Sequence, residues 1–210
     1  MTINATAALE RLLDGNRRFA AGVETEASIH IRTHRAELAA GQQPFAIILG
    51  CSDSRVPAEI VFDQGLGDLF VIRVAGNVVA PSQIGSVEFA AERFATRLVV
   101  VLGHSQCGAV LATLEELRRP TDTQSRNLRA IVDRIRPSVE GLLDAPGLDH
   151  DTLVHHAVRA NVRVSANHLR HGSEILERLI ETEGLRVVGA EYSLETGLVE
   201  VFDGTTRVKT

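Results

Sequence analysis

The distribution of apolar residues along the chain predicts a sheet of buried parallel strands. Three short runs are rich in β-branched and other apolar side chains, and they cover Phe45–Leu49, Leu69–Val74 and Leu98–Leu102. Each run is nearly continuous rather than alternating with polar residues. This pattern is typical of strands whose two faces are both covered, as happens when helices pack on either side of a parallel sheet.

Outside these runs, the apolar spacing changes to that of helices. Segments with an apolar stripe at helical spacing cover residues 7–19, 83–96, 109–119, 127–143 and 151–180. Near the C-terminus, two alternating segments flank Glu195–Gly197, which predicts a β-hairpin. We therefore predict an α/β fold with about four parallel strands, an antiparallel C-terminal edge strand and flanking helices. No repeat or long linker divides the chain, so residues 1–210 are predicted to form a single domain.

The charge balance argues against several classes of partner. The chain has 210 residues and a formal net charge of -5, and no block of lysine or arginine stands out. It therefore lacks the electrostatic footprint of a nucleic-acid-binding protein. The longest apolar runs are far too short to span a bilayer, and the first residues lack the pattern of a secretory signal. We expect a cytoplasmic protein that binds neither nucleic acid nor membrane, with its two cysteines reduced.

These two cysteines occupy equivalent places, each just after a predicted buried strand. Cys51 begins the segment CSDSR after the first run, and Cys107 lies in GHSQCGA after the third. Ligands in open α/β sheets bind outside the carboxyl ends of the strands, where the strand order reverses. If the first and third strands are neighbours there, Cys51, Asp53, His104 and Cys107 converge on one point. Thiolate, imidazole and carboxylate groups are zinc ligands, so this set predicts a zinc site.

Each of these residues also has a structural interpretation that involves no metal. A lone buried cysteine usually acts as a small apolar side chain. A histidine beside a glycine often belongs to a turn or a helix cap, and the serines and aspartate of CSDSR are good helix N-caps. Taken together, however, a metal site explains better why both cysteines lie at the same kind of strand end with a polar partner at ligand spacing.

Longer stretches of the sequence resemble the β-class carbonic anhydrases. They are LLDGNRRFAAG near the N-terminus, QQPFAIILGCSDSRVPAEIVFDQGLGDLFVIRVAGNVV, GSVEFA, VVVLGHSQCGAV and, more loosely, the C-terminal hairpin. In that family, zinc is held by the residues that match Cys51, His104 and Cys107. The carboxylate that matches Asp53 is the fourth ligand in the resting state of some members. In the active state it pairs with the arginine that matches Arg55.

The resemblance implies reversible hydration of carbon dioxide to bicarbonate and a proton by a zinc-bound hydroxide. Arg55 would hold Asp53 away from the metal, so that water can take the fourth position and Asp53 can orient it. Gln42 would donate a hydrogen bond to a substrate oxygen. An apolar substrate pocket would be lined by Phe70, Ala75 and Phe89. The family builds its sites at dimer interfaces, so the resemblance also implies a homodimer or homotetramer in which the N-terminal helix packs on a partner subunit.

Three other functions use the same residues. Some relatives of this fold act on carbonyl sulfide or carbon disulfide, with the same zinc ligands and a different access channel. The second is a non-enzymatic module that zinc stabilises or that senses redox state, although a purely structural site needs no switchable Asp53–Arg55 pair. The third is a thiol enzyme with Cys51 as the nucleophile, for which the sequence shows no local base pattern.

Overall fold

Within the residues that the structure describes, five strands form one sheet. The structure is a computed structural model, and it describes residues 3–23, 38–39, 41–120, 125–143 and 145–204. The strands are β1 (Ala46–Gly50), β2 (Leu69–Arg73), β3 (Leu98–His104), β4 (Arg186–Tyr192) and β5 (Val199–Asp203). Their order is β2-β1-β3-β4-β5; the first four are parallel and β5 is antiparallel to β4. The predicted fold class and the adjacency of the first and third strands are both confirmed.

Helices connect and cover these strands. They are α1 (Ala5–Ala20), α2 (Ala58–Val61), α3 (Pro81–Arg93), α4 (Gly108–Arg118), α5 (Arg126–Val139), α6 (His150–His171) and α7 (Glu174–Thr182). Short 3-10 turns occupy Ala75–Asn77 and Glu140–Leu142. Throughout the described part of the chain, no helix combines the length and apolar character that crossing a bilayer requires.

One predicted helix, residues 151–180, is in fact two helices. α6 ends at His171, and α7 begins after Ser173. The backbone of Ser173 is extended (φ −151°, ψ 119°), and its hydroxyl oxygen accepts a hydrogen bond from the amide of Leu176 at 3.2 Å. Serine at this position starts a new helix because its side chain satisfies an amide that has no partner within the helix. The prediction of one continuous helix is therefore wrong at Gly172 and Ser173.

Both faces of the sheet are covered, as the continuous apolar runs predict. Ile48 and Val100 contribute to a core with α1 and α2, whereas their neighbours Ile47 and Val99 contribute to a second core with α3, α6 and α7. This division follows from the strand geometry, because successive side chains point to opposite faces. All residues of β1 and β3 are buried. A third buried cluster contains Val110, Ile135 and Val158 from α4, α5 and α6.

The apolar stripe of α1 is buried against its own chain. Ala8 and Leu12 are fully buried in the core that α2 shares. The side-chain amide of Asn16 donates to the carbonyl oxygens of Val61, at 3.1 Å, and Gly197, at 2.8 Å. These contacts tie the helix to α2 and to the β4–β5 hairpin. Packing of α1 on a partner subunit stays a prediction.

The connection order places a topological switch point between β1 and β3. From β1 the chain moves to β2 on one side, and it then returns to β3 on the other side. Loops that leave neighbouring strands in opposite directions open a crevice at the carboxyl end of the sheet. The segments that follow β1 and β3 meet in this crevice, and they are the two segments that contain the cysteines.

Candidate metal centre

Three buried side chains converge at this switch point. Cys51 directly follows β1, His104 is the last residue of β3, and Cys107 is the N-cap residue of α4. One ligand atom from each lies within 4.8 Å of those of the other two, and the two sulfur atoms are 4.0 Å apart. The sheet therefore brings together the two thiols and the imidazole that the sequence places after separate strands.

The imidazole of His104 has one nitrogen bound and one free to coordinate. Nδ1 lies 2.9 Å from the carbonyl oxygen of Ser105, an acceptor, so Nδ1 carries the hydrogen. His104 is 0% exposed, and among the residues that the structure describes its Nε2 has no hydrogen-bond partner. A buried polar atom without a partner is unfavourable, and a metal ion bound at Nε2 would satisfy it. A carbonyl on the other nitrogen is also how metal-binding histidines are usually oriented. The three side chains thus fit a bound metal ion.

The two thiols form a coupled pair suited to bind a cation. The hydrogen bond from the Cys107 thiol lowers the pKa of Cys51 to about 4, although burial opposes the shift. The same hydrogen bond, together with burial, raises the pKa of Cys107. The 4.0 Å contact between the two sulfur atoms thus favours a thiolate at Cys51. A divalent cation would displace the remaining thiol proton and bind both thiolates.

Asp53 lies beside the three ligands but is turned towards Arg55. The guanidinium donates from Nε to Oδ1 at 2.9 Å and from Nη2 to Oδ2 at 2.8 Å. The Arg55 hydrogen bonds hold the pKa of the Asp53 carboxyl well below its usual range. Asp53 Oδ2 is nevertheless only 3.8 Å from His104 Nε2. The carboxylate is thus next to the candidate metal position while both of its oxygens bind Arg55.

The loop that contains Cys51 and Asp53 is fixed from β2. Arg73, the last residue of β2, donates from Nε to the carbonyl oxygen of Cys51 at 3.0 Å, and from Nη2 to that of Asp53 at 2.6 Å. Sequence reasoning did not find this role. The position of Arg73 could have indicated it. A charged residue at the carboxyl end of a parallel strand faces the same crevice as the loops that follow the neighbouring strands.

Gln42, the predicted substrate-binding glutamine, does not lie near this cluster within one chain. Gln42 precedes β1, so it lies at the amino end of the sheet, where it lines a cavity of about 530 Å³ with Phe45, Arg93 and Phe94. Five residues of strand, roughly 16 Å, separate that end from Cys51.

The predicted pocket residues lie towards opposite ends of the sheet. Phe70 is in register with Ile47, in the amino-terminal half of β1, and its ring contacts those of Phe89 and Phe94. Phe89 is 54% exposed. Ala75, in contrast, precedes Gly76, whose amide contacts Cys51 Sγ. One chain therefore places Ala75 beside the cluster and Phe70 and Phe89 away from it.

The chain matches a known protein family over most of its length. A sequence model of the carbonic anhydrase family matches residues 46–199, from the first residue of β1 to the first residue of β5. The chain belongs to the carbonic anhydrase family. Carbonic anhydrase 2 of Mycobacterium tuberculosis is 43% identical over 195 residues, which cover 92% of this chain and 91% of that protein. A carbonic anhydrase of Mycolicibacterium smegmatis is 40% identical over 198 residues, covering 94% and 93%.

Solved structures show the same relationship at the level of the fold. The β-carbonic anhydrase CafA of Aspergillus fumigatus superposes with a TM-score of 0.74 at 27% identity, covering 96% of this chain and 91% of that chain. A Coccomyxa β-carbonic anhydrase in complex with acetazolamide gives 0.70 at 25% identity, covering 92% and 86%. Hydration of carbon dioxide is the general reaction of the family. The Cys51, His104 and Cys107 group is placed so that it could hold a metal ion.

Proposed function

We propose that this carbonic anhydrase hydrates carbon dioxide reversibly with a zinc ion held by Cys51, His104 and Cys107. The observation that carries the proposal is the buried, unpartnered Nε2 of His104, which lies within 4.8 Å of two cysteine sulfur atoms. Two thiolates and an imidazole are donors that zinc prefers. Three protein ligands leave a fourth position open, which is typical of catalytic rather than structural zinc.

Zinc, when bound, would act as a Lewis acid that lowers the pKa of a coordinated water from about 15.7 towards about 7. Two thiolates donate more electron density than imidazole ligands do. They therefore leave the metal a weaker Lewis acid, and we expect hydration to be faster at alkaline pH. The buried cluster beside β1 and β3 would keep this chemistry out of bulk solvent. Charge interactions there are stronger than in water, because the dielectric constant is lower.

The Asp53–Arg55 pair controls access to the fourth position. Asp53 is close enough to His104 Nε2 to compete for that position, and its bidentate hydrogen bonds to Arg55 hold it back. In this arrangement the carboxylate could still accept a hydrogen bond from the attacking water. It can therefore orient the water towards carbon dioxide, while Arg55 keeps the carboxylate ionised. Loss of the Arg55 contact would release Asp53 to close the site.

Gln42, Phe70 and Phe89 would act on the site of a second copy of the chain. Gln42 lies at the amino end of its own sheet, so it cannot donate to a substrate at its own Cys51 loop. A homodimer or homotetramer would place the amino end of one chain against the metal centre of the other. The exposed ring of Phe89 and its neighbour Phe70 supply an apolar surface suited to carbon dioxide.

Metal removal and reconstitution test the proposal. Dialysis against a strong chelator should abolish hydration while the protein stays folded by circular dichroism, and added zinc should restore activity at one ion per chain. A His104→Ala variant should lose both zinc and activity, because one of three ligands is absent. A metal-free protein that hydrates carbon dioxide as fast as the zinc-loaded protein would refute the proposal.

A further inference from the structure

The 3-10 turn between β2 and α3 donates a hydrogen bond to the metal centre. The backbone amide of Gly76 lies 3.3 Å from Cys51 Sγ, and both groups are buried. Sulfur accepts hydrogen bonds at longer distances than oxygen does, so this contact is within range for an N–H group and a thiolate. The donor is a backbone amide, so no side chain in the sequence indicates this contact.

Only glycine fits at the position that makes this contact. Gly76 has φ +70° and ψ 20°, in the left-handed region where a Cβ is unfavourable. A Cβ at this position would also lie 2.8 Å from Ile135 Cδ1 and 3.1 Å from Ala109 Cβ. The close packing of α4 and α5 against the turn thus requires a residue without a side chain.

A buried asparagine on α6 binds the carbonyl group of Gly76. Asn161 is 1% exposed, and its side-chain amide donates to the carbonyl oxygen of Gly76 at 2.7 Å. One glycine therefore links the two groups, with its carbonyl bound to Asn161 and its amide bound to Cys51. Because a buried carbonyl without a donor is unfavourable, loss of the asparagine amide would favour rotation of the turn.

We propose that Asn161 is a positioning residue of the metal centre, which fixes the Gly76 turn so that its amide stays on the Cys51 thiolate. The proposal rests on the proposed function, because it concerns the thiolate that would bind zinc. A hydrogen bond to a coordinating thiolate orients it and withdraws electron density from it, and such contacts tune both metal affinity and Lewis acidity. Asn161 touches neither the ligand atoms nor the substrate position.

The test compares Asn161→Ala with Ser165→Ala, a buried residue one turn later on the same helix. Zinc affinity is measured by competition with a chromophoric chelator. We expect Asn161→Ala to weaken it about 10- to 100-fold, the usual effect of removing an outer contact, and Ser165→Ala to leave it unchanged. Asn161→Asp keeps the side-chain volume but removes the amide donor, so it should also weaken zinc affinity.

A second readout reports the hydrogen bond itself. In protein loaded with NMR-active cadmium, the Gly76 amide proton should show scalar coupling to the metal through the sulfur atom, and Asn161→Ala should reduce it. A wild-type Gly76 amide without this coupling overturns the inference, whether or not the variants fold. Unchanged affinity and coupling in folded Asn161→Ala also overturn it, while wild-type zinc binding and carbon dioxide hydration would leave the proposed function intact. A wild-type protein that binds no zinc would refute both.

Discussion

Arg55 holds the Asp53 carboxylate through two parallel hydrogen bonds, at 2.9 and 2.8 Å, and its backbone amide adds a third at 3.0 Å. The carboxylate is at the same time 3.8 Å from the unpartnered nitrogen of His104. Asp53 thus lies between a guanidinium and a candidate metal position. In the function proposed above, which of the two it binds would determine whether the fourth coordination position is open.

The first prediction concerns Arg55→Ala. Without the guanidinium, Asp53 should settle on the metal, so the variant should keep its zinc and lose activity about 100-fold or more, the lower range for the loss of a positioned catalytic group. Zinc content and stopped-flow hydration measure the two effects separately. The double variant Asp53→Ala/Arg55→Ala removes the competing carboxylate, so it should be more active than Arg55→Ala alone. Hydration by Arg55→Ala at the parental rate would show that the pair does not control the site.

The second prediction concerns Gln42. A Gln42→Ala chain and a Cys51→Ser chain should each hydrate carbon dioxide poorly. When the two are unfolded and refolded together, each mixed dimer should contain one site with an intact Gln42 and an intact Cys51, because the two residues lie at opposite ends of one sheet. Activity should therefore reappear in the mixture. If mixing restores no activity although mixed dimers form, Gln42 does not act across an interface.

The third prediction is a pH-dependent change in stability at the β4–β5 edge. Burial raises the pKa of Glu191, although His155 and Arg159 oppose the shift, whereas the hydrogen bond from Arg159 lowers the pKa of Glu200. A raised carboxyl pKa means that folding becomes less favourable as pH rises through the folded-state value. A lowered carboxyl pKa means that the group stabilises the fold at neutral pH and that this stabilisation is lost in acid.

Glu191→Gln should therefore raise the free energy of unfolding slightly at neutral pH, and Glu200→Gln should lower it. Arg159 keeps its bidentate partner Glu200 in the first variant, so no buried charge is left unpaired. Both differences from the parent should shrink as the pH is lowered, because the carboxyl groups become neutral in both states. Urea unfolding at two pH values measures them. Differences of the same sign at neutral pH would contradict the assignment.

The fourth prediction tests the close approach of α1 to its own chain. A Cβ at Gly15 would lie 1.9 Å from the carbonyl oxygen of Phe62, so backbone must move to accommodate it. Gly15→Ala should lower the free energy of unfolding by about 1–3 kcal/mol, the usual cost of overpacking. Gly85→Ala, on α3, meets nothing within 4 Å in the described part of the chain and should raise the free energy of unfolding by about 1 kcal/mol. Two variants of equal stability would show that α1 does not pack here.

The strands and the convergence of the candidate ligands could be predicted from sequence because each leaves a direct signal. Buried parallel strands are continuous apolar runs, and a residue just after such a strand must lie at one edge of the sheet. Cys51, His104 and Cys107 are brought together in this way, and the structure places their ligand atoms within 4.8 Å of one another. The break between α6 and α7 could also have been found, because Gly172 and Ser173 together are a common helix end and start.

The contacts that support the ligands left weaker signals. Arg73 binds backbone carbonyls, and Gly76 donates through its backbone amide, so neither interaction is encoded by a matching side chain. Asn161 lies far along the chain, within an ordinary helical pattern, and only the tertiary packing brings it to Gly76. The placement of Gln42 at the opposite end of the sheet from the ligands likewise depends on strand direction, and sequence spacing alone does not give it.

Stopped-flow hydration of carbon dioxide by the purified protein, with its metal content measured on the same sample, tests the central claim most directly. We predict one zinc ion per chain and a hydration rate that rises towards alkaline pH. Parallel assays with carbonyl sulfide and carbon disulfide should release no sulfide at a comparable rate. A zinc-loaded, folded protein that releases sulfide from those substrates and does not hydrate carbon dioxide would contradict the claim, as would a folded protein that binds no metal.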